Sequence, residues 1–171
     1  MQNHLSDNLQ EPGMGTIERI YLARGKRQAV EQVEAASLEA GKGIVGDRYH
    51  QLAEQHLAKG MEVMQNHVSL VEREALDKFM QDHGLHHDYG DFRRSVITSG
   101  IDLNALVGKQ FRLGNAVLYG VELCEPCSYL ASIIHKSVLP EMAVSAGLRA
   151  TVIESGNIKA GDSLGEIEST A

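Results

Sequence analysis

The sequence predicts a mainly β domain: a closed or partly open β-barrel of mostly antiparallel strands with a few short helices. Three observations predict it. Short alternating apolar segments recur along the chain, about eight or nine of them, separated by closely spaced turn residues. Seventeen glycines against three prolines supply those turns. Three helices are expected and only the one after Ser69 has a convincing stripe, so strands and helices do not alternate regularly and a doubly wound parallel sheet is set aside. At 171 residues, 43% hydrophobic and 23% charged, the chain has the size and composition of one domain that buries its own core.

The elements follow in order. Residues 1–13, MQNHLSDNLQEPG, are polar, with no basic start and no apolar run, and read as a flexible arm rather than a signal peptide. Met14 to Arg24 alternates and is expected as a strand buried on at least one face. Gly25-Lys26-Arg27 reads as a turn. Ala29 to Ala40 reads as strand through Val30, Val33, Ala35, Ala36 and Leu38, although Glu31, Glu34 and Glu39 also suit a helix. In GKGIVGDRYH, Gly41, Gly43 and Gly46 crowd ahead of Asp47, Arg48 and His50; such crowding marks backbone in conformations other residues resist, or backbone close to something. A plain connection with Asp47 bonding the turn explains the glycines better than it explains Arg48. Residues 51–66 lack a clean period, and Gly60 interrupts them, so they read as loop or short helix.

His67 to Val71 reads as a strand handing over to a helix at Ser69, with Ser69 and Glu72 as a capping box and Gly84 as the stop. Val71, Ala75, Leu76, Phe79 and Met80 form its core face. His83, His86, His87 and Asp88 then cluster in a polar loop; the ligand types suit a metal, although in such a loop they are more often merely solvated. Phe92 to Ser99 reads as a strand with Arg93 and Arg94 at its start. Gly100 to Gly108 is a loop or helical turn anchored by Leu103, Leu106 and Val107. Lys109 to Cys124 is the clearest hairpin, with Gly114-Asn115 as a two-residue primed turn. Pro140 is placed like the first residue of a short helix closed by Gly147. Leu148 to Glu154 and Ser163 to Ile167 are the last strands, turned by Ser155-Gly156-Asn157 and Gly161-Asp162. Residues 168–171 read as a frayed tail, so one domain spans 14–167.

Composition excludes several function classes. No run approaches the eighteen or so apolar residues of a membrane helix. Net charge is −7, the isoelectric point is about 5.6, and Lys and Arg do not cluster, which argues against nucleic acid held by its phosphates. A reducing cytoplasm is the expected compartment.

Chemistry concentrates where the hairpin ends, at Cys124-Glu125-Pro126-Cys127, the chain's two cysteines. Pro126 continues neither ladder nor helix, Ser128 is a good N-cap, and Leu130, Ile133 and Ile134 make one stripe, so Cys127 falls at a strand-to-helix turn. Unpaired N–H groups there favour thiolate, which makes Cys127 a better nucleophile or soft-metal ligand than Cys124, still on the strand. Either cysteine can also be mere packing. A Cys-x-x-Cys suggests dithiol redox chemistry, yet a thioredoxin-like fold carries the pair early and needs a cis-proline strand after it. Zinc requires two more ligands, and no second metal-spaced pair exists. A cysteine protease lacks a visible histidine partner.

Arg48, Arg93, Arg94 and Arg149 each stand beside a glycine turn or at a strand start. Guanidinium forks bind phosphate bidentately, so such a set suits an anionic ligand, while each taken alone reads better as an ordinary surface ion pair. In order, GIVGDRYH, then RRSVITSGIDLNALVGKQFRLGNAVLYGVELCEPCSYL, then GLRATVIESGNIKAGD closely resemble the MOSC family, the molybdenum-cofactor sulfurase C-terminal domain, in its small stand-alone form. The resemblance covers roughly residues 14–167. It implies a barrel-like, strand-rich fold and binding of molybdenum cofactor, with the cysteine matching Cys127 as molybdenum ligand or persulfide carrier. Some relatives of this kind reduce N-hydroxylated compounds with electrons from iron-sulfur or flavin partners, so an electron-donor or sulfur-donor protein is the implied partner. On this reading Arg48, Arg93, Arg94 or Arg149 holds the phosphate of the pterin tail. Many members have Asn where this chain has Ser95. Full sulfurases add a pyridoxal-phosphate-dependent domain, and nothing in these residues argues a pyridoxal phosphate site. A thiol-disulfide protein cycling Cys124 with Cys127, and a small-ligand or interaction domain without chemistry, remain the alternatives.

Overall fold

A computed structural model describes residues 13–168; the arm expected over 1–13 and the tail over 168–171 fall almost wholly outside them. Its strands are β1 (Met14–Leu22), β2 (Glu31–Val33), β3 (Ala35–Glu39), β4 (Gly43–Ile44), β5 (Val68–Glu72), β6 (Val96–Ser99), β7 (Gln110–Leu113), β8 (Ala116–Leu123), β9 (Leu148–Glu154), β10 (Gly156–Lys159) and β11 (Ser163–Glu166). The helices are α1 (Arg48–Ala58), α2 (Arg73–His83), α3 (Ser128–Ile133) and α4 (Val138–Glu141), with 3-10 turns at Tyr89–Phe92 and Leu103–Leu106.

Seven strands close a barrel in the order β11, β7, β8, β9, β5, β6, β1, and β1 returns to β11 through Met14, Gly15 and Thr16. An odd ring cannot alternate direction throughout, so one neighbouring pair must be parallel. That pair is β5 with β6, joined by the crossover through α2. β2 extends the sheet beside β1, and β10, β3 and β4 form a separate small sheet. The expected barrel is therefore present and closed.

Two apolar layers share three of its strands. Ile20, Leu70 and Val96 point into the barrel with Phe111, Leu118, Leu148 and Leu164. Their neighbours Tyr21, Val71 and Ile97 point outward, under Leu76 and Phe79 of α2, Leu130 and Ile134 of the α3 segment, and Val138 and Met142 of the α4 segment. β1, β5 and β6 are thus buried on both faces, which strand pleating allows only where helices cover the outer side. Among the described residues no helix is long and apolar enough to cross a membrane.

Several local expectations are corrected. The strand expected over Ala29 to Ala40 is broken at Glu34 into β2 and β3. Residues 51–58 continue α1, which Asp47 caps by accepting from the Tyr49 N–H. The capping box at Ser69 does not form: the strand runs on to Glu72, and Ser69 Oγ accepts the Ser95 N–H from the neighbouring β6 chain at 3.1 Å. A long-range bond outcompetes the local one. Phe92 belongs to a 3-10 turn, so Arg93 and Arg94 precede β6 rather than begin it. Val107 is exposed while Leu103 and Leu106 are buried. Pro140 is the third residue of α4, where its missing N–H still has no intrahelical acceptor to lose. The hairpin is as expected, Leu113 pairing with Ala116 across Gly114-Asn115, and Gly84 closes α2 in the left-handed conformation.

Candidate functional site

Cys127 is the N-cap of α3, one residue earlier than the expected Ser128, and its Sγ accepts the Leu130 N–H at 3.4 Å. β8 has already ended at Leu123, so Cys124 lies in the connection, yet its N–H still bonds the Gly147 carbonyl at 2.7 Å. Both thiols are free; Cys124 is fully buried and Cys127 exposed. Burial pushes the Cys124 thiol up, against the opposing pull of Arg94 and Arg149, so it stays protonated while Cys127 faces solvent.

The segment Ala146-Gly147 is the seam that gathers the site. Arg94 Nε donates to the Ala146 carbonyl at 2.8 Å, and Gly147 takes Cys124. Gly147 itself has φ +120, and a Cβ there would lie 2.1 Å from the Leu70 carbonyl oxygen of β5. Two residues on, Arg149 stands on β9 opposite Glu122 of β8, whose carboxylate instead takes Asn66 at 3.2 Å. Burial holds the Arg94 guanidinium below its usual range, and it feels Cys124, Arg149, Cys127 and Tyr49 together. Two guanidiniums therefore converge beside the two thiols.

Arg48 joins from α1. It donates to the Tyr49 hydroxyl at 2.9 Å and lies over that ring, with Asp47 buried beneath it and held by the Ala23 N–H at 2.9 Å. Burial pushes the Asp47 carboxyl up against those bonds. Arg93 turns elsewhere: φ is +62, it donates to the Gln28 carbonyl at 2.7 Å, and it flanks the Tyr129 ring of α3. Three of the four arginines expected from the sequence are thus linked, Arg94 lying within electrostatic reach of both thiols, of Arg149 and of the Tyr49 that Arg48 bonds, and the fourth sits on the flank of the Cys127 helix.

Their charge state sets them apart. Among half-buried basic residues, Arg19, Lys42 and Arg73 each lie against a carboxylate. Arg93, Arg94 and Arg149 make no ion pair among the described residues, while Arg48 has the buried Asp47 beneath it. Half-buried cations without counter-charges, next to an exposed thiol, fit an anionic ligand that carries a soft metal.

The histidine loop does not gather. His83 bonds Glu141, His87 bonds Asp91 at 3.3 Å, and Asp88 takes the Tyr21 hydroxyl at 2.7 Å. Sequence reasoning missed a different group, Glu39, His50 and Glu54, whose ligand atoms lie within 4.8 Å of one another. The i, i+4 spacing of His50 and Glu54 was its signal. Lys42 already occupies that cluster, at 3.1 Å from Glu39 and 3.0 Å from Glu54. Tyr49 and Tyr129 were also missed, because single tyrosines carry no spacing signal.

A closed seven-strand barrel with a cysteine-capped helix on its outer layer defines the class of protein. A profile for the MOSC domain matches residues 56–165, and the chain belongs to the MOSC domain family. Its structure is similar to the YuaD protein from Bacillus subtilis, with TM-score 0.73 and 19% identity over 88% of this chain and 94% of that one. YiiM from Escherichia coli gives 0.68 and 18% over 94% and 72%, and YiiM from Geobacillus stearothermophilus gives 0.64 and 16% over 90% and 75%. At these identities the likeness is one of fold. No curated protein matches the sequence.

Proposed function

We propose that this MOSC-domain chain binds molybdenum cofactor, with Cys127 as molybdenum ligand or persulfide carrier, acting in the cytoplasm. The observation that carries the reading is the pair Arg94 and Arg149, half-buried without carboxylate partners beside the exposed Cys127. Arg94 and Arg149 would hold the anionic tail of the cofactor, with Arg48 closing the approach. Bound there, the cofactor would supply a metal centre for oxygen or sulfur transfer, and reduction of N-hydroxylated compounds with a separate electron donor is the activity it suits. Cys127 keeps its sulfur outside the core and fixed by the Leu130 N–H. Cys124 fills the core beneath, out of reach of a partner disulfide.

The test is the molybdenum and pterin content of protein purified from a host that makes the cofactor. Metal near one per chain is expected in wild type and in Cys124→Ser, and loss is expected in Cys127→Ser. Equal loss from both serine variants would return the CxxC redox reading, and metal in none would remove the cofactor.

A further inference from the structure

Among the described residues, positive φ outside glycine occurs at Arg27 (φ 59) and Arg93 (φ 62). Both guanidiniums lie over the same ring, Tyr129, at 4.7 and 5.9 Å from its centroid. Each is placed by a local turn. The Gln28 N–H bonds the Gly25 carbonyl, which makes Arg27 the third residue of a tight turn, a position that favours Gly or Asn when φ is positive. Arg93 ends the 3-10 turn whose capping box joins Asp88 and Asp91. A guanidinium thus stands twice where a glycine would be unstrained, and both converge on the first turn of the Cys127 helix. Neither has a carboxylate partner among the described residues. Backbone outliers of this kind persist where the surrounding structure enforces them, and they concentrate at ligand sites.

Arg93 also lines a groove of about 360 Å³ with Ala29, Val30, His87, Asp91 and Ile133, the last residue of α3. That is the size of a small-molecule cleft. Its one carboxylate, Asp91, is engaged by His87 and by the Asp88 N–H.

The structure assigns to Arg27, Arg93 and Tyr129 a second anion site, separate from Arg94 and Arg149, that takes the phosphate or carboxylate of a small molecule whose apolar body lies in this groove. The two guanidiniums offer forked donors to one anion, and Tyr129 holds them together without neutralising them. Only the second arm of the test below rests on the cofactor reading.

The full chain, isotopically labelled and free of cofactor, is titrated with inorganic phosphate and with phenyl phosphate while the arginine Nε–H signals are followed by NMR. Saturable shifts are expected at Arg27 and Arg93, with phenyl phosphate the tighter ligand. Arg27→Gly, which relieves the positive φ, keeps or raises the thermal midpoint and weakens binding about tenfold. Arg27→Gln, which keeps the strained backbone and removes the charge, weakens it equally. Binding unchanged in both variants, or shifts confined to Arg94 and Arg149, overturns the assignment. The titration is then repeated on cofactor-loaded protein. Blocked phosphate binding would make these residues part of the cofactor site and overturn a separate one, whereas persistent binding supports a second anion site for a substrate. Absence of molybdenum from the protein leaves the first titration standing, so the two readings fail separately.

Discussion

Two charged regions of the molecule follow opposite rules. Where β3 meets α1, Lys42 bridges Glu39 and Glu54, and His50 adds a 2.8 Å bond to Glu39. Every cation there has its anion. Around α3, Arg94 and Arg149 lie near the thiols and neither makes an ion pair among the described residues, the Glu122 carboxylate opposite Arg149 being engaged by Asn66. The difference does not come from scarcity, since the chain carries 23 acidic residues and a net charge of −7. Like charges held together in a half-buried place cost stability, so the second region is poised for something that arrives from outside.

The largest test breaks the frame of the open region. Gly147→Ala pushes a Cβ to 2.1 Å from the Leu70 carbonyl at a φ of +120, and the Cys124 and Arg94 bonds hang on the same two residues. A loss of roughly 3 kcal/mol is expected in urea unfolding, from overpacking and backbone strain together. A variant as stable as wild type would show that the seam is loose and that the site geometry is not enforced by it.

Next come paired substitutions, one in each region. Arg149→Met removes a like charge from beside Arg94 and no hydrogen bond, so its thermal midpoint should equal or exceed that of wild type, while retention of an anionic cofactor falls about tenfold. Lys42→Met should do the reverse: a lower midpoint, because Glu39 and Glu54 lose their shared counter-charge, and unchanged cofactor content. If Arg149→Met were the destabilising member, the contrast between a saturated and an open region would collapse.

Much of this was legible in local sequence, and what was not has a common cause. Alternation over Gln110–Leu113 and Ala116–Leu123, the Gly114-Asn115 turn, and the Pro126 break before Cys127 are all settled within a few residues, and the structure keeps them. The parallel pairing of β5 with β6 was hidden, because barrel closure is decided by partners far apart in the chain. Ser69 misled for the same reason, its hydroxyl being taken by Ser95 twenty-six residues away. α1 was obscure because its exposed face carries Leu52 and Leu57 while His50 and Ala53 are the buried ones; its cap and ion pairs, rather than an apolar stripe, attach it. Arg48, Arg93, Arg94 and Arg149 were each visible, but that Arg93, Arg94 and Arg149 make no ion pair among the described residues is a property of the folded molecule alone.

The smallest effect sharpens the comparison through pH. The acid sensitivity is expected from a buried histidine outside the open region. His67, just ahead of β5, is buried, and its Nδ1 faces the Thr151 hydroxyl at 3.1 Å and the Val152 N–H at 3.4 Å. Burial pulls its pKa below the ordinary 6.5, against a raising bond from the Met64 backbone. The folded state therefore favours neutral imidazole, and below pH 6.5 the unfolded chain takes up a proton that the folded chain resists. Stability from this residue is complete above 6.5 and declines as pH falls toward the folded value. The urea midpoint should drop between pH 7.5 and 5.5 in wild type and change less in His67→Gln, whatever the absolute stability of that variant. An equal drop in both over this range would remove His67 as its source, whereas a loss confined to pH below the ordinary carboxylate value of 4.5 would belong to carboxylates of the saturated region such as Glu39, whose pKa is lowered by its bonds to His50 and Lys42. Its contribution is present above the ordinary carboxylate value of 4.5 and lost only as pH falls through the lower folded value. The window of the loss thus separates the two sources.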